Sequence, residues 1–536
     1  MGSSSSRRSS FLFNNAFKTV IGSMTAVASV GGGYLLWQYY SERMSDAMLK
    51  LLKHFIDADE RELSRGTIIV DKVVTKAITS ALGVSAVIAL GSAYIAWYKR
   101  NVLNKIVSAF SSKRDPAMLL TFTSHGKSWP PDVCRNEQDQ INRIVNGIQT
   151  GHYWMLLGPK GTGKMTMIVE AMRACQKKGV AICEAHPNLE VFRLRLGRAL
   201  KFEFNEDSQT GLFHRRDPRD GGPALDIERA SNKLNRAALQ YFKRTGRPLV
   251  LIINNTHYFK NDDEGRDMLL QLQHHAELGS DHGILTFIFS SDDFWPSFVM
   301  RESALSRIRF MSVYDLDFHR AVRTAMRMRQ DEKGIIEPEE TFKAAISLVG
   351  GRLSTLSKLV SAEDMLAEAR HLLAVEKEWL LSQIGLIENL DDDIVKGQKR
   401  SLCSWLLLCE FVRMRQDEEE RLKRQIAAGE KTAQDLEGLA LPKLPYYQCC
   451  QIMARADFLE ELDRSNIVAI DTYHNVSPDS KMLLVAAREV IEEEGFDTKL
   501  QNVKKRVNEI EALRRTQKII IRDGSPGCSI HLEGRS

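Results

Sequence analysis

The eight cysteines of this 536-residue sequence never pair as C-x-x-C, and no second ligand cluster offers zinc spacing. That scarcity argues against a zinc module and a disulfide framework. It points to reduced, mostly buried thiols, with the vicinal Cys449–Cys450 read as packing rather than redox chemistry. Charge of one sign is scarce too. The 74 basic and 69 acidic residues leave a net charge of +5, too small to single out nucleic acid or an anionic membrane as partner. Disorder is excluded by 43% hydrophobic against 27% charged residues. The length allows several domains of about 100–200 residues each.

Two stretches lack charge altogether. Thr19–Tyr40 (TVIGSMTAVASVGGGYLLWQYY) and Ala77–Tyr98 (AITSALGVSAVIALGSAYIAWY) each run for about 22 residues, enough at about 1.5 Å per residue to cross a hydrocarbon core of about 30 Å. Both end in aromatics suited to the interface, Trp37, Tyr39 and Tyr40 in one and Tyr94, Trp97 and Tyr98 in the other. Their small residues favour close helix approach in lipid, so a two-pass hairpin in a lipid bilayer is expected. Arg7, Arg8 and Lys18 precede it, and Lys99, Arg100, Lys105, Lys113 and Arg114 follow it. The loop 41–76 balances seven basic against seven acidic residues, so both ends are expected on the cytosolic or matrix side, with the loop across the membrane. Met44, Met48, Leu51, Leu52 and Phe55 give that loop the pattern of a short amphipathic helix. Residues 1–18 are rich in Ser and Arg and free of acid, as mitochondrial targeting segments are, which points to a mitochondrial location.

Beyond a linker at 99–132 the pattern changes to strands alternating with helices. HYWMLLG reads as a strand, Gly158-Pro159-Lys160-Gly161-Thr162-Gly163-Lys164 as a Gly-rich loop, and the segment from Met165 and Thr166 onward as a helix. Strand, loop and helix in that order are the setting a P-loop needs. Glycines let backbone N–H groups turn inward on phosphates, the helix N-terminus adds partial positive charge, and Lys164 reaches the terminal phosphates. ATP is the expected ligand. VAICEAH, PLVLIINN, ILTFIFSS and IRFMSVYDL follow as further strands. Continuous apolar runs alternating with helices predict an α/β fold with a parallel sheet covered on both faces. Phosphate sites lie at the C-terminal ends of such strands, where Ser290 and Ser291 are sensor candidates.

What the loop and the third strand lack is equally informative. Met165 stands where Ser or Thr would give Mg²⁺ a hydroxyl, and a thioether is a poor ligand for a hard cation. Thr166 is about 100° further round the helix. Asn254 and Asn255 end the strand where an Asp–Glu pair would organise Mg²⁺ and activate water, and a neutral amide cannot accept that proton. ATP binding with weak or no hydrolysis is expected, with Mg²⁺ poorly liganded. Asp262, Asp263 and Glu264 are the acids near enough in sequence to compensate.

At GPKGTGK (Gly158–Lys164), IINNTHYFK (Ile252–Lys260) and ILTFIFSSDD (Ile284–Asp293) the chain resembles the AAA+-like domain of the mitochondrial escape protein family, over roughly Arg135 to Leu359. It also resembles fungal AAA+-like proteins with a C-terminal winged helix. The first resemblance implies an inner-membrane protein concerned with the organelle's DNA or membrane organisation, although that family's RNA-recognition module is not evident. In AAA+ proteins a Gly-Gly-Arg turn puts a sensor arginine near the γ-phosphate, so Gly350-Gly351-Arg352 makes Arg352 a candidate. Arg301, Arg307 and Arg309 are weaker candidates for arginine fingers acting on a neighbouring subunit.

The expected domains are therefore a basic segment (1–18), the hairpin (19–98), the linker, the nucleotide-binding domain (133–320), a helical lid (321–395), a winged-helix-like domain (396–490) and a basic amphipathic tail (491–536). PYYQCCQIMARADFLEELDRSN reads as two winged-helix helices, with IVAID and KMLLVAA as the wing hairpin. The second of those helices carries Asp457, Glu460, Glu461 and Asp463, which disfavours phosphate contact and suits a lid or protein-interaction module. The expected partners are thus the bilayer and other proteins, self-association included, with nucleic acid not favoured. A nucleotide-dependent switch or remodelling factor is the leading expectation. A non-hydrolysing scaffold tethering the membrane to mitochondrial nucleic acid or proteins is the alternative.

Overall fold

The computed structural model describes residues 66–110, 135–176, 178–204, 222–303, 306–334, 337–387 and 395–516. The chain divides into two compact units after Val102. The first contains most of helix α1 (Gly66–Ala109), so the end of the expected loop and the whole charge-free segment Ala77–Tyr98 form one uninterrupted helix. Ile88, Leu90, Tyr94 and Trp97 are exposed on it. Among the described residues no helix is long and apolar enough to cross a membrane. Thr19–Tyr40 and the amphipathic part of the loop lie outside the described residues, so the hairpin is not seen.

In the second unit, α2 (Asn136–Val145) leads into β1 (Tyr153–Leu157), α3 (Lys164–Ala174), β2 (Val180–Glu184), α4 (Leu189–Leu200), α5 (Gly222–Thr245) and β3 (Leu249–Asn254). Then come α6 (Asp263–Asp281), β4 (Leu285–Ser291), α7 (Trp295–Glu302) and β5 (Ile308–Ser312). Every strand pairing in this sheet is parallel, in the order β2-β3-β4-β1-β5. Strands β1, β3 and β4 are buried along their whole length, which is why their sequences run apolar without alternation. One face is closed by α2 and α3 through Ile141, Ile144, Ile168 and Met172 against Trp154, Ile252 and Ile288. Full burial of each such side chain stabilises the fold by about 1.5–3 kcal/mol. The order puts β4 between β1 and β3, so the ends of all three strands meet beside the Gly-rich loop.

The lid is α8 (Phe318–Lys333), α9 (Glu339–Val349), α10 (Leu353–Ser361) and α11 (Met365–Ile384), around a core of Ala321, Phe342, Ile346, Leu356 and Leu359. Gly351 joins the lid to the sheet. A Cβ there would collide with the Leu316 carbonyl, and the Leu316 N–H donates to the Gly351 carbonyl at 3.0 Å.

The last domain comprises α12 (Val395–Ala427), α13 (Ala433–Glu437), β6 (Leu444–Pro445), α14 (Tyr446–Met453), α15 (Ala456–Arg464), β7 (Val468–Ile470), β8 (Asn475–Pro478), α16 (Lys481–Ile491) and α17 (Phe496–Thr516). Its sheet is antiparallel, ordered β6-β8-β7. One expectation is corrected here. KMLLVAA is not a wing strand but the start of α16, whose first turn is capped by the Ser480 hydroxyl accepting from the Leu483 N–H at 3.1 Å. The second wing strand is Asn475–Pro478, pairing with β7. Cys449 is buried, and burial pushes its thiol up to about 12, which fits packing rather than redox chemistry.

Candidate functional site: the P-loop and its two neighbours

The Gly-rich loop leaves β1 and enters α3 with Gly163 in the left-handed region at φ 95°. No L-residue with a Cβ adopts that conformation cheaply, so glycine keeps the helix N-terminus open toward the loop. Lys164 is almost fully buried. Its Nζ donates to the carbonyls of Gly158 at 2.5 Å and Pro159 at 2.9 Å, and pairs with Asp292 Oδ1 at 2.7 Å. Burial lowers the affinity of Lys164 for its proton, and Asp292 opposes that effect. Thr162 turns its hydroxyl back onto the Pro159 carbonyl at 2.9 Å. From outside, the buried Arg135 clamps the loop: one guanidinium nitrogen donates to the Thr162 carbonyl at 2.7 Å and another to the Tyr314 carbonyl at 2.8 Å.

Around this cradle the sequence candidates fall into distinct places. The side chain of Met165 is half-buried and packs against the apolar core formed by α2, α3 and the sheet. Asn254 is buried at the end of β3, and Asn255 turns the chain in the left-handed region at φ 56°. Ser290 and Ser291 are buried, and the Ser291 hydroxyl is committed to the Asp293 carbonyl at 2.6 Å. The acids past β3 do not compensate. Asp262 caps α6, accepting from the Gly265 N–H at 2.9 Å, while Asp263 and Glu264 are exposed in its first turn.

Two residues that the sequence reading passed over complete the site. Asp292 follows β4, one position beyond the expected sensors, and carries the carboxylate that meets Lys164. His257, just past β3, accepts the Asp292 N–H on Nδ1 at 3.1 Å, so its ring proton sits on Nε2, which lies 3.9 Å from Asp292 Oδ2. Burial lowers the pKa of His257, keeping the ring neutral. The run Ser-Ser-Asp-Asp held the signal for Asp292, because the residue just past the end of a parallel strand also borders the site.

The stem of Arg352 lies beside Gly161, but its guanidinium is committed elsewhere. It spans Asp315, at 3.2 Å from both Nε and Nη2, and Asp479 of the last domain, which accepts from Nη1 on its carboxylate and from Nη2 on its backbone carbonyl. Burial alone would lower the pKa of Arg352, but the two carboxylates raise it; Asp479 is itself raised to about 6, chiefly by burial. The residues after Arg352 touch the loop directly. The Ser354 N–H donates to the Gly161 carbonyl at 3.2 Å, and a Cβ on Gly161 would strike the Ser354 hydroxyl. Arg352 thus sits between two contacts, one to the phosphate loop and one to the last domain.

Residues 133–286 match the family AAA ATPase domain, and residues 381–511 match the family Fungal AAA protein, C-terminal winged helix domain. The chain carries both domains. Neither match is to the mitochondrial escape protein family. No curated relative matches. Among solved structures, a Walker-type ATPase of Pyrococcus abyssi is 13% identical, covering 68% of this chain and 99% of its own, at a TM-score of 0.43. The Aeropyrum pernix ORC1 protein in complex with DNA is 13% identical, covering 69% of this chain and 95% of its own, at a TM-score of 0.32. Drosophila ORC bound to DNA is 15% identical, covering 74% and 98%, at a TM-score of 0.30. These likenesses are too distant to add to the geometry.

The AAA and winged helix domains meet along one seam. The Phe294 N–H donates to Asp463 Oδ2 of α15 at 2.7 Å, the Ser312 hydroxyl bonds Thr472 at 3.1 Å, and Arg301 meets His474 at 2.6 Å. Asp293 lies at this seam, and burial, followed by the neighbouring Asp292, pushes its carboxyl up to about 7 against the pull of Arg464, Lys164 and Lys160. The folded protein therefore holds a proton at Asp293 that the unfolded chain has released, so this group favours folding at low pH and loses that contribution as pH rises toward 7. Replacing it with a neutral isostere, Asp293→Asn, should raise stability at both pH 5 and pH 8, and by on the order of 2–3 kcal/mol more at pH 8. Thermal unfolding at the two pH values reads this directly, and an equal effect at both would contradict it.

Proposed function

We propose that this chain is an ATP-binding switch: nucleotide occupies the P-loop, is turned over slowly or not at all, and changes how the winged helix domain is held. The observation that carries the reading is the Arg352 turn, which contacts the Gly161 carbonyl through Ser354 and the winged helix through Asp479. ATP fits the residues present. The left-handed Gly163, the N-terminus of α3 that follows it and Lys164 are the parts of a phosphate cradle, and Lys164 would hold the terminal phosphates. Mg²⁺, when bound with ATP, neutralises phosphate charge. Among the described residues no group of three or more His, Cys, Asp or Glu holds a metal alone, so the ion would depend on phosphate oxygens. Weak turnover is supported by the core-packed Met165 and by the amides of Asn254 and Asn255, which cannot take a proton from water. Engagement of the α15 and wing residues within the chain, together with the acidity of α15, favours a protein-contact role for the winged helix over nucleic-acid binding.

Two measurements test this reading. A fluorescent ATP analogue should bind the wild-type protein and bind Lys164→Ala at least about tenfold more weakly. Phosphate release should stay near background in both proteins. Robust Mg²⁺-dependent release by the wild type, abolished in Lys164→Ala, would overturn the slow-turnover reading.

Membrane tethering at the mitochondrial inner membrane is supported by the sequence alone: the two charge-free stretches, their basic flanks and the acid-free start. Protease protection in sealed mitochondrial membranes should find residues 57–65 on the opposite side from the AAA domain. Cleavage of both from the same side would contradict it.

A further inference from the structure

Asn254 and Asn255 leave the usual carboxylate positions on β3 neutral, yet the site does not lack a carboxylate. Glu184, at the end of β2, is paired with Arg195 at 3.4 Å. Asp262 is used as a helix cap, and Asp293 is buried at the winged-helix seam. Asp292 alone among these pairs with the P-loop lysine, at 2.7 Å, and it does so from β4, the strand that lies directly against β1. Its backbone is pinned by His257 at 3.1 Å, so the carboxylate is held beside the loop rather than left to swing in solvent.

We propose that Asp292 is the carboxylate that holds the divalent cation of bound ATP, its place moved from the end of β3 to the end of β4. The proposal rests on the ATP-binding reading above. A hard cation that keeps most of its waters needs only one or two carboxylates besides the phosphate oxygens, and Asp292 supplies one. The chemistry is consistent with the pairing seen. The phosphates of ATP compete with Asp292 for Lys164, and a cation arriving with them gives the displaced carboxylate a new partner of the same sign. Asp292 thus serves as counter-ion to Lys164 and as ligand to the cation in turn.

The test is a titration of the full chain with a fluorescent ATP analogue, in magnesium chloride and in EDTA, for the wild type, Asp292→Asn and Asp292→Glu. Magnesium should tighten wild-type binding by about tenfold or more and change Asp292→Asn by less than about twofold. In EDTA, Asp292→Asn should bind as tightly as the wild type or more tightly, because Lys164 no longer has a competing carboxylate. Asp292→Glu, which keeps the charge, should retain part of the magnesium effect, and it carries the test if the amide variant does not fold. Full magnesium tightening in Asp292→Asn would overturn the proposal. An equal loss of affinity with and without magnesium would also overturn it, because Asp292 would then only orient Lys164. A wild type that binds equally well in both conditions overturns the proposal and leaves the ATP-binding reading standing. A wild type that binds in neither overturns both.

Discussion

The arrangement depends on one buried cation. The Arg352 guanidinium is enclosed between Asp315 of the AAA domain and Asp479 of the winged helix domain, within a short reach of the phosphate loop. Removing a charge from water costs several kcal/mol per ion, which is offset here only because two carboxylates and a backbone carbonyl satisfy it together. Removing one partner leaves a buried charge without compensation, so the pairing is less a gain in stability than a constraint on where the winged helix can sit. Gly351 makes the constraint tight: its missing side chain lets the turn lie against Leu316.

A phosphate near Gly161 would offer Arg352 another anion, and the two carboxylates would then have to find new partners. In the proposed switch this would be the nucleotide's route to the winged helix, and it would require no hydrolysis. The chemistry at the strand ends agrees with such a use. Met165 packs half-buried against the core, Asn254 and Asn255 hold no charge, and the acid beside Lys164 stands just past β4. These features support the proposed reading of a site that senses ATP more than it consumes it.

Much of this was legible in the sequence, because the central strands are buried on both faces and their apolar runs have little alternative use. The Gly-rich loop was legible for a related reason, since its glycines are required by φ angles and by close approach. The sequence misled where short-range pattern and tertiary partner disagree. KMLLVAA has the composition of a strand, but the Ser480 cap and the burial of Leu483, Leu484 and Ala487 fix it as a helix. Arg352 carries a recognisable turn, yet its partner Asp479 lies 127 residues away, and nothing local announces the pairing. Arg135 and Asp292 escaped notice because their roles are defined by what the fold brings beside them. The charge-free N-terminal stretch and the first part of the loop lie outside the described residues.

The central claim is that occupancy of the P-loop is felt at Asp479 through Arg352. Hydrogen–deuterium exchange of the full chain, followed over residues 479–488 with and without ATP, reads this most directly. ATP should protect the loop at 158–166 and speed exchange in the first turn of α16, and Lys164→Ala should show neither change. Protection of the loop with no change at 479–488 would contradict the account.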